Sequence, residues 1–149
     1  MKGTTIFDLE GTLVDVAGEA VSQVFICEDL LKDLAQQYEL AIVTGATRTE
    51  LNYVLENTIL GKYFKPSKTI TRSDCKEAKS TGLPFRMLLE SGVSLPAVVV
   101  GDGEGDCLGS EANGVSFVKV DTSQLLSNPQ VMREYISVAV AELEKAEDF

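Results

Sequence analysis

Two apolar runs of strand length, residues 40–43 (LAIV) and 97–100 (AVVV), stop abruptly at a polar residue beside a glycine. Thr44-Gly45 follows the first and Gly101-Asp102 the second. A third run, residues 4–7, is β-branched and aromatic and leads into Asp8. Strands with no polar alternation are expected where helices cover both faces of a parallel sheet. Residues 28–38 (EDLLKDLAQQY), 49–60, 84–90 and 132–146 read as the helices, with Gly61 and Gly92 as stops. A short strand is expected at 68–71, a short helix containing Glu111 and Ala112 before Gly114, and a last strand at 115–120. The alternation predicts one domain over residues 1–149, an α/β doubly wound parallel sheet in three layers (α/β/α). Such sheets bind ligands beyond the carboxyl ends of their strands, which puts Asp8, Thr44 and Asp102 on one functional edge.

The chemistry open to this edge is narrow. The 149-residue chain contains no histidine, so histidine triads and histidine metal sites are excluded. A general acid or base is expected to be a carboxylate, and a metal to be a hard cation with oxygen ligands. The net charge of −10, with no basic stripe, argues against nucleic acid as a partner. It does not argue against a small phosphate ester, because a few local cations and a metal can dominate a pocket. Cys27, Cys75 and Cys107 are odd in number and irregularly spaced, with neither a disulfide framework nor a CxxC motif. No apolar run approaches the roughly 18–20 residues that span a bilayer. The start, MKGTTIFDLEGT, lacks a signal-peptide core. The expectation is a cytoplasmic protein with no membrane partner.

Four constellations carry possible chemistry. In Asp8-Leu9-Glu10-Gly11-Thr12, one carboxylate leaves a buried strand and a second follows two residues on. One can attack while the other moves a proton, although a solvated acidic turn has the same pattern. In Thr44-Gly45-Ala46-Thr47, a hydroxyl and backbone N–H groups entering a helix suit a phosphate oxygen; helix capping is the alternative. Lys79 can offset phosphoryl charge, but by composition Lys65, Lys68 and Lys76 are equal candidates. In Gly101-Asp102-Gly103-Glu104-Gly105-Asp106, carboxylates at a strand end with intervening glycines make a magnesium half-site. An EF-hand fails on spacing, and a nucleotide-binding glycine loop fails because acids stand where phosphate would lie.

In this order, the four sets resemble the haloacid dehalogenase (HAD) superfamily. DLEGTLVD is similar to its first motif, DxDGTLxD; IVTG to the second; Lys79 in SDCKEAKS falls at the third; VVVGDGEGD is similar to the fourth. The resemblance, which runs from about Thr5 to Val120, implies a Rossmann-like HAD fold and a Mg²⁺-dependent phosphomonoesterase. It implies that Asp8 forms an aspartyl phosphate and that Glu10 protonates the leaving group and then activates water. Asp8, Asp102 and the Glu10 carbonyl are implied as magnesium ligands, with Asp106 binding the metal or its waters. Thr44, Gly45 and Lys79 are implied to hold the phosphoryl oxygens.

Two departures stand out. Glu10 replaces the usual second Asp, as it also does in enolase-phosphatases. Only VAGEAVSQVFIC separates Asp15 from Glu28, where many relatives insert a cap, so no cap domain is expected. An open site implies either a small phosphorylated substrate with closure by a second subunit, hence a homo-oligomer, or a bulky phosphorylated macromolecule. The apolar positions of 132–146 span more than one narrow stripe, which is the further ground for expecting an oligomer. A catalytically feeble HAD-like binding or structural module is the competing reading. A receiver-type domain is a third, but its acceptor follows the third strand, not the first.

Overall fold

The fold is organised around β1 (Thr4–Phe7), which is buried along its whole length. The computed structural model describes residues 1–18 and 20–147. On one side β1 pairs in parallel with β4 (Glu39–Val43), matching Phe7 to Ile42; on the other it pairs with β6 (Ala97–Gly101), matching Phe7 to Val100. β5 (Thr69–Ile70) and β7 (Ser116–Lys119) complete a five-stranded parallel sheet of order β5-β4-β1-β6-β7. Successive side chains of a strand point to opposite faces. Phe7, Ile42 and Val100 therefore enter one core with Leu31 and Leu34 of α1 (Glu28–Ala35) and Ile136 and Leu143 of α6 (Met132–Glu147). Leu51 and Val54 of α2 (Arg48–Asn57) join the same core. Ile6, Ala41 and Val99 enter the other, under Phe85 and Leu88 of α3 (Leu83–Glu90). This is the expected three-layer α/β arrangement.

The chain leaves β1 toward β4 and β5 and returns on the other side as β6 and β7, so the strand order reverses at the β1–β6 boundary. That boundary is the switch point at which doubly wound sheets open a crevice. Among the described residues no cap domain stands over it: the segment between β1 and α1 carries the antiparallel pair β2 (Val14–Ala17) and β3 (Ala20–Val24). The Leu9 carbonyl anchors its base, accepting from the N–H groups of Leu13 at 2.9 Å and Val14 at 3.1 Å.

Three elements differ from the sequence expectation. The hairpin is absent from it, because residues 14–24 carry Gly18 and several polar residues, and Val14 is the only buried position of its two strands among the described residues. The helix expected around Glu111 and Ala112 begins much earlier, as α4 (Glu104–Ala112), inside the acidic glycine-rich segment. α5 (Thr122–Ser127) has too short a pattern to show periodicity. In α6, Met132, Ile136, Ala139 and Leu143 are buried against the sheet, and Tyr135 bonds Gln124 through its hydroxyl. Val138 is half exposed, so most of the wide apolar stripe is used in intramolecular packing and gives little support to assembly through this helix. No helix of the described residues is long and apolar enough to cross a membrane.

Candidate active site

Three carboxylates meet at the switch point. Asp8 leaves β1, Asp102 leaves β6, and Asp106 lies in the first turn of α4; one oxygen of each lies within 4.8 Å of the others. Strand pairing continues into the site, where the Asp8 N–H donates to the Val100 carbonyl at 3.0 Å. The Asp8 carboxylate in turn accepts from the Leu9 N–H at 2.8 Å. Lys79 Nζ stands between two of the acids, 2.6 Å from Asp8 Oδ1 and 2.9 Å from Asp106 Oδ1. The structure thus selects Lys79 over the other lysines. Lys68 pairs with Glu39 at the start of β4, on the opposite edge of the sheet, and Lys76 is exposed.

Close backbone approach builds this cluster. Gly11 has φ +81°, and a Cβ there would lie 2.5 Å from Asp102 Oδ2, so both conformation and space require glycine. Gly109 lets α4 pass against the Lys79 segment: a Cβ would lie 2.3 Å from the Lys79 carbonyl oxygen. Of the glycines of GDGEGD, Gly101 is the one that must lack a Cβ; at Gly103 and Gly105 a Cβ would lie no nearer than 3.4 Å and 3.5 Å to its neighbours. At Gly101 a Cβ would lie 2.5 Å from Asp106 Oδ2, the oxygen that accepts from the Gly103 N–H at 3.3 Å.

The charges do not balance within the protein. Burial first, then a hydrogen bond with Asp102 and the charge of Asp106, push Asp8 up to about 8 against the opposing pull of Lys79. Burial acts to neutralise Lys79, but Asp8 and Asp106 outweigh it and raise its pKa, so the ammonium stays charged. Asp102 makes no ion pair among the described residues. Its oxygens meet two hydroxyls, Thr122 Oγ1 at 3.2 Å and Thr12 Oγ1 at 3.5 Å. Three acids against one ammonium, all oxygen donors and mostly buried, fit a hard divalent cation, which would draw the Asp8 pKa back down.

Thr44 lies at the end of β4 and is buried. Its hydroxyl oxygen accepts from the Ala46 N–H at 3.1 Å. The cap of α2 is instead Thr47: its side chain accepts from Glu50 N, and Glu50 Oε1 accepts from Thr47 N. Capping therefore does not engage Thr44, which faces the cleft with Gly45. Asp8, Glu10, Thr44, Gly45, Lys79, Asp102 and Asp106 all line one open cleft of about 670 Å³. Glu10 is exposed at its mouth, on a turn closed by the Gly11 N–H donating to the Val14 carbonyl at 2.8 Å.

Thr122, Glu50 and Arg72 were not expected at the site, and Thr12, part of the first constellation, carried no role of its own. Thr12 and Thr122 touch Asp102, and no spacing rule flags a hydroxyl that reaches the site from a separate segment. Glu50 and Arg72 line the cleft. Arg72 had a usable signal, since it stands just beyond a predicted strand, at the position that singled out Asp8 and Thr44.

A parallel α/β sheet with a lysine and an acidic cluster that could hold a cation at its switch point is an arrangement suited to hydrolases and transferases. The sequence matches the haloacid dehalogenase-like hydrolase family over residues 19–120, well over half of the chain. The chain belongs to that family. The match begins beyond Asp8 and Glu10, so their placement rests on the geometry above. The fold is also similar to a solved HAD-superfamily hydrolase, subfamily IA variant 1, from Geobacter sulfurreducens PCA. The TM-score is 0.65 at 18% identity, covering 84% of this chain and 95% of that one. Curated protein sequences give no significant match.

Proposed function

We propose that this hydrolase is a Mg²⁺-dependent phosphomonoesterase that works through an aspartyl phosphate on Asp8. The observation that carries this reading is the Asp8–Asp102–Asp106 cluster with Lys79 bonded to two of its members. Asp8, Asp102, Asp106 and the Glu10 carbonyl would hold Mg²⁺, which when bound offsets the repulsion between an anionic nucleophile and an anionic phosphate. The Thr44 hydroxyl, the Gly45 N–H and Lys79 bind the phosphoryl oxygens. Asp8 attacks phosphorus as the bond to the leaving oxygen breaks, and Glu10 gives that oxygen its proton. Glu10, now a carboxylate, takes a proton from water; the hydroxide attacks phosphorus, and Asp8 leaves as a free carboxylate with inorganic phosphate as product. Cys27, Cys75 and Cys107 are free thiols, which supports a reducing, cytoplasmic setting.

Mg²⁺-dependent hydrolysis of p-nitrophenyl phosphate, abolished by chelation, is the expected result. Absence of hydrolysis over a panel of phosphate esters would favour the inactive-module reading. The Glu10 side chain is tested separately. Glu10→Gln keeps the shape and removes proton transfer, and should lower kcat by about 10²-fold, the low end for general acid–base catalysis. Glu10→Asp should retain turnover. Equal rates for wild type and Glu10→Gln would make the side chain a bystander.

Metal binding should also release protons. Asp8 in the folded, metal-free protein is raised from 3.8 to about 8. The folded state then binds more protons than the unfolded chain between those values, and its stability falls as pH rises through that window. Because Mg²⁺ requires the carboxylate, its affinity should climb with pH up to about 8 and then level off. Titration of metal-free protein in weak buffer at neutral pH should acidify the solution. A Mg²⁺ affinity independent of pH would remove Asp8 from the ligand set.

A further inference from the structure

Among the described residues, Arg72 is the cationic residue of the cleft to which the phosphatase reading gives no role. It follows β5, and its backbone N–H donates to the Ala46 carbonyl at 2.9 Å. Its root is therefore fixed to the loop that carries Thr44 and Gly45. The guanidinium is loosely held: the side chain is 62% exposed, and its ion pair with Glu50 Oε1 is long, at 3.8 Å. That oxygen already accepts from the Thr47 N–H at 2.9 Å as part of the α2 cap, so Glu50 would stay in place if Arg72 swung away. An exposed pair of this kind contributes little, and redirecting it costs little. Arg48 is different. It bonds Thr69 Oγ1 at 2.6 Å and the Thr69 carbonyl at 3.2 Å, and it also pairs with Asp74, so it is committed to structure.

The sheet order gives the cleft a charge gradient. Asp102 and Asp106 lie on the β6 side, Lys79 bridges to Asp8 at the centre, and Arg72 stands beyond Thr44 on the β5 side. An ester whose phosphoryl group sits at Asp8 meets this guanidinium if the rest of the molecule extends toward β5. The guanidinium fork matches a carboxylate or phosphate with two parallel hydrogen bonds. We propose that Arg72 recognises a second anionic group on the substrate, so that the preferred substrates are phosphate esters carrying a carboxylate or further phosphate near the scissile ester. This rests on the phosphatase reading.

The test compares the meta and para isomers of carboxyphenyl phosphate with the matching carbamoylphenyl phosphates, which have the same shape without the second charge. For at least one isomer, wild type should favour the carboxylate by about tenfold in kcat/KM, mainly through KM, as expected for one charge-assisted contact. Arg72→Gln should bring that ratio close to one, and Arg72→Lys should retain part of it. A ratio near one for every isomer in the wild type, or an unchanged ratio in Arg72→Gln, would overturn the assignment while leaving the phosphatase reading intact. Failure of the wild type to hydrolyse any of these esters would overturn both.

Discussion

Replacing Asp8 by asparagine should abolish turnover while the fold persists. The amide has nearly the shape of the carboxylate but is a poor nucleophile, so covalent catalysis is lost at its first step. The expected fall in kcat is about 10³-fold or more, as for other single nucleophile removals. The fold should not suffer, because the side chain is anchored by a contact an amide can keep: the Leu9 N–H at 2.8 Å donates to Asp8 Oδ1. The metal-free protein should melt no lower than the wild type, since a neutral amide removes the burial penalty that pushes the Asp8 carboxyl up to about 8. Purified variant retaining more than a few per cent of wild-type kcat would remove Asp8 from its role.

Lys79→Met should damage both stability and rate. The ammonium is mostly buried, with 17% of its side chain exposed, and it joins Asp8 to Asp106, whose side chain is 3% exposed. Removing one partner of a buried ion pair costs about 3–5 kcal/mol when the other charge has no escape. Here Asp8 can take up a proton instead, so the loss should fall below that range and grow as pH rises. Mg²⁺ should recover part of it, because the cation neutralises the same carboxylates. The rate should drop by about 10²–10³-fold even at saturating Mg²⁺, the usual cost of losing one preorganised donor to a charged transition state. Thermal denaturation with and without Mg²⁺, alongside kcat, separates the two effects. Full activity in a well-folded Lys79→Met protein would assign Lys79 to structure alone.

The parts of the fold legible in the sequence were those in which burial is continuous. β1, β4 and β6 are buried on both faces, so their apolar runs carried their positions to within a residue, and the rule of strand-end polar residues placed Asp8, Thr44 and Asp102 on one edge. The hairpin β2–β3 was not legible, because its pattern is mixed and only Val14 of its strands is fully buried. α4 was obscured by Gly105 and Gly109, which weaken a helix locally; of the two, Gly109 is required where the helix passes against Lys79. Lys79 had no local signal separating it from three other lysines; its role comes from the contacts of α4 with its segment. Asp102 shows the same limit, since nothing near it in sequence announces Thr122 or Thr12.

If Asp8 is the nucleophile, the phosphoryl group resides on its carboxylate in every turnover. Rapid acid quenching during turnover of a phosphate ester with Mg²⁺, followed by peptide mass spectrometry, would trap that species. One added phosphoryl group is expected on the peptide containing Asp8, labile to base and hydroxylamine, and absent from Asp8→Asn. Sustained turnover in which no phosphorylated peptide accumulates, even when hydrolysis of the intermediate is slowed by Glu10→Gln, or in which the label falls on another residue, would contradict Asp8 as the nucleophile.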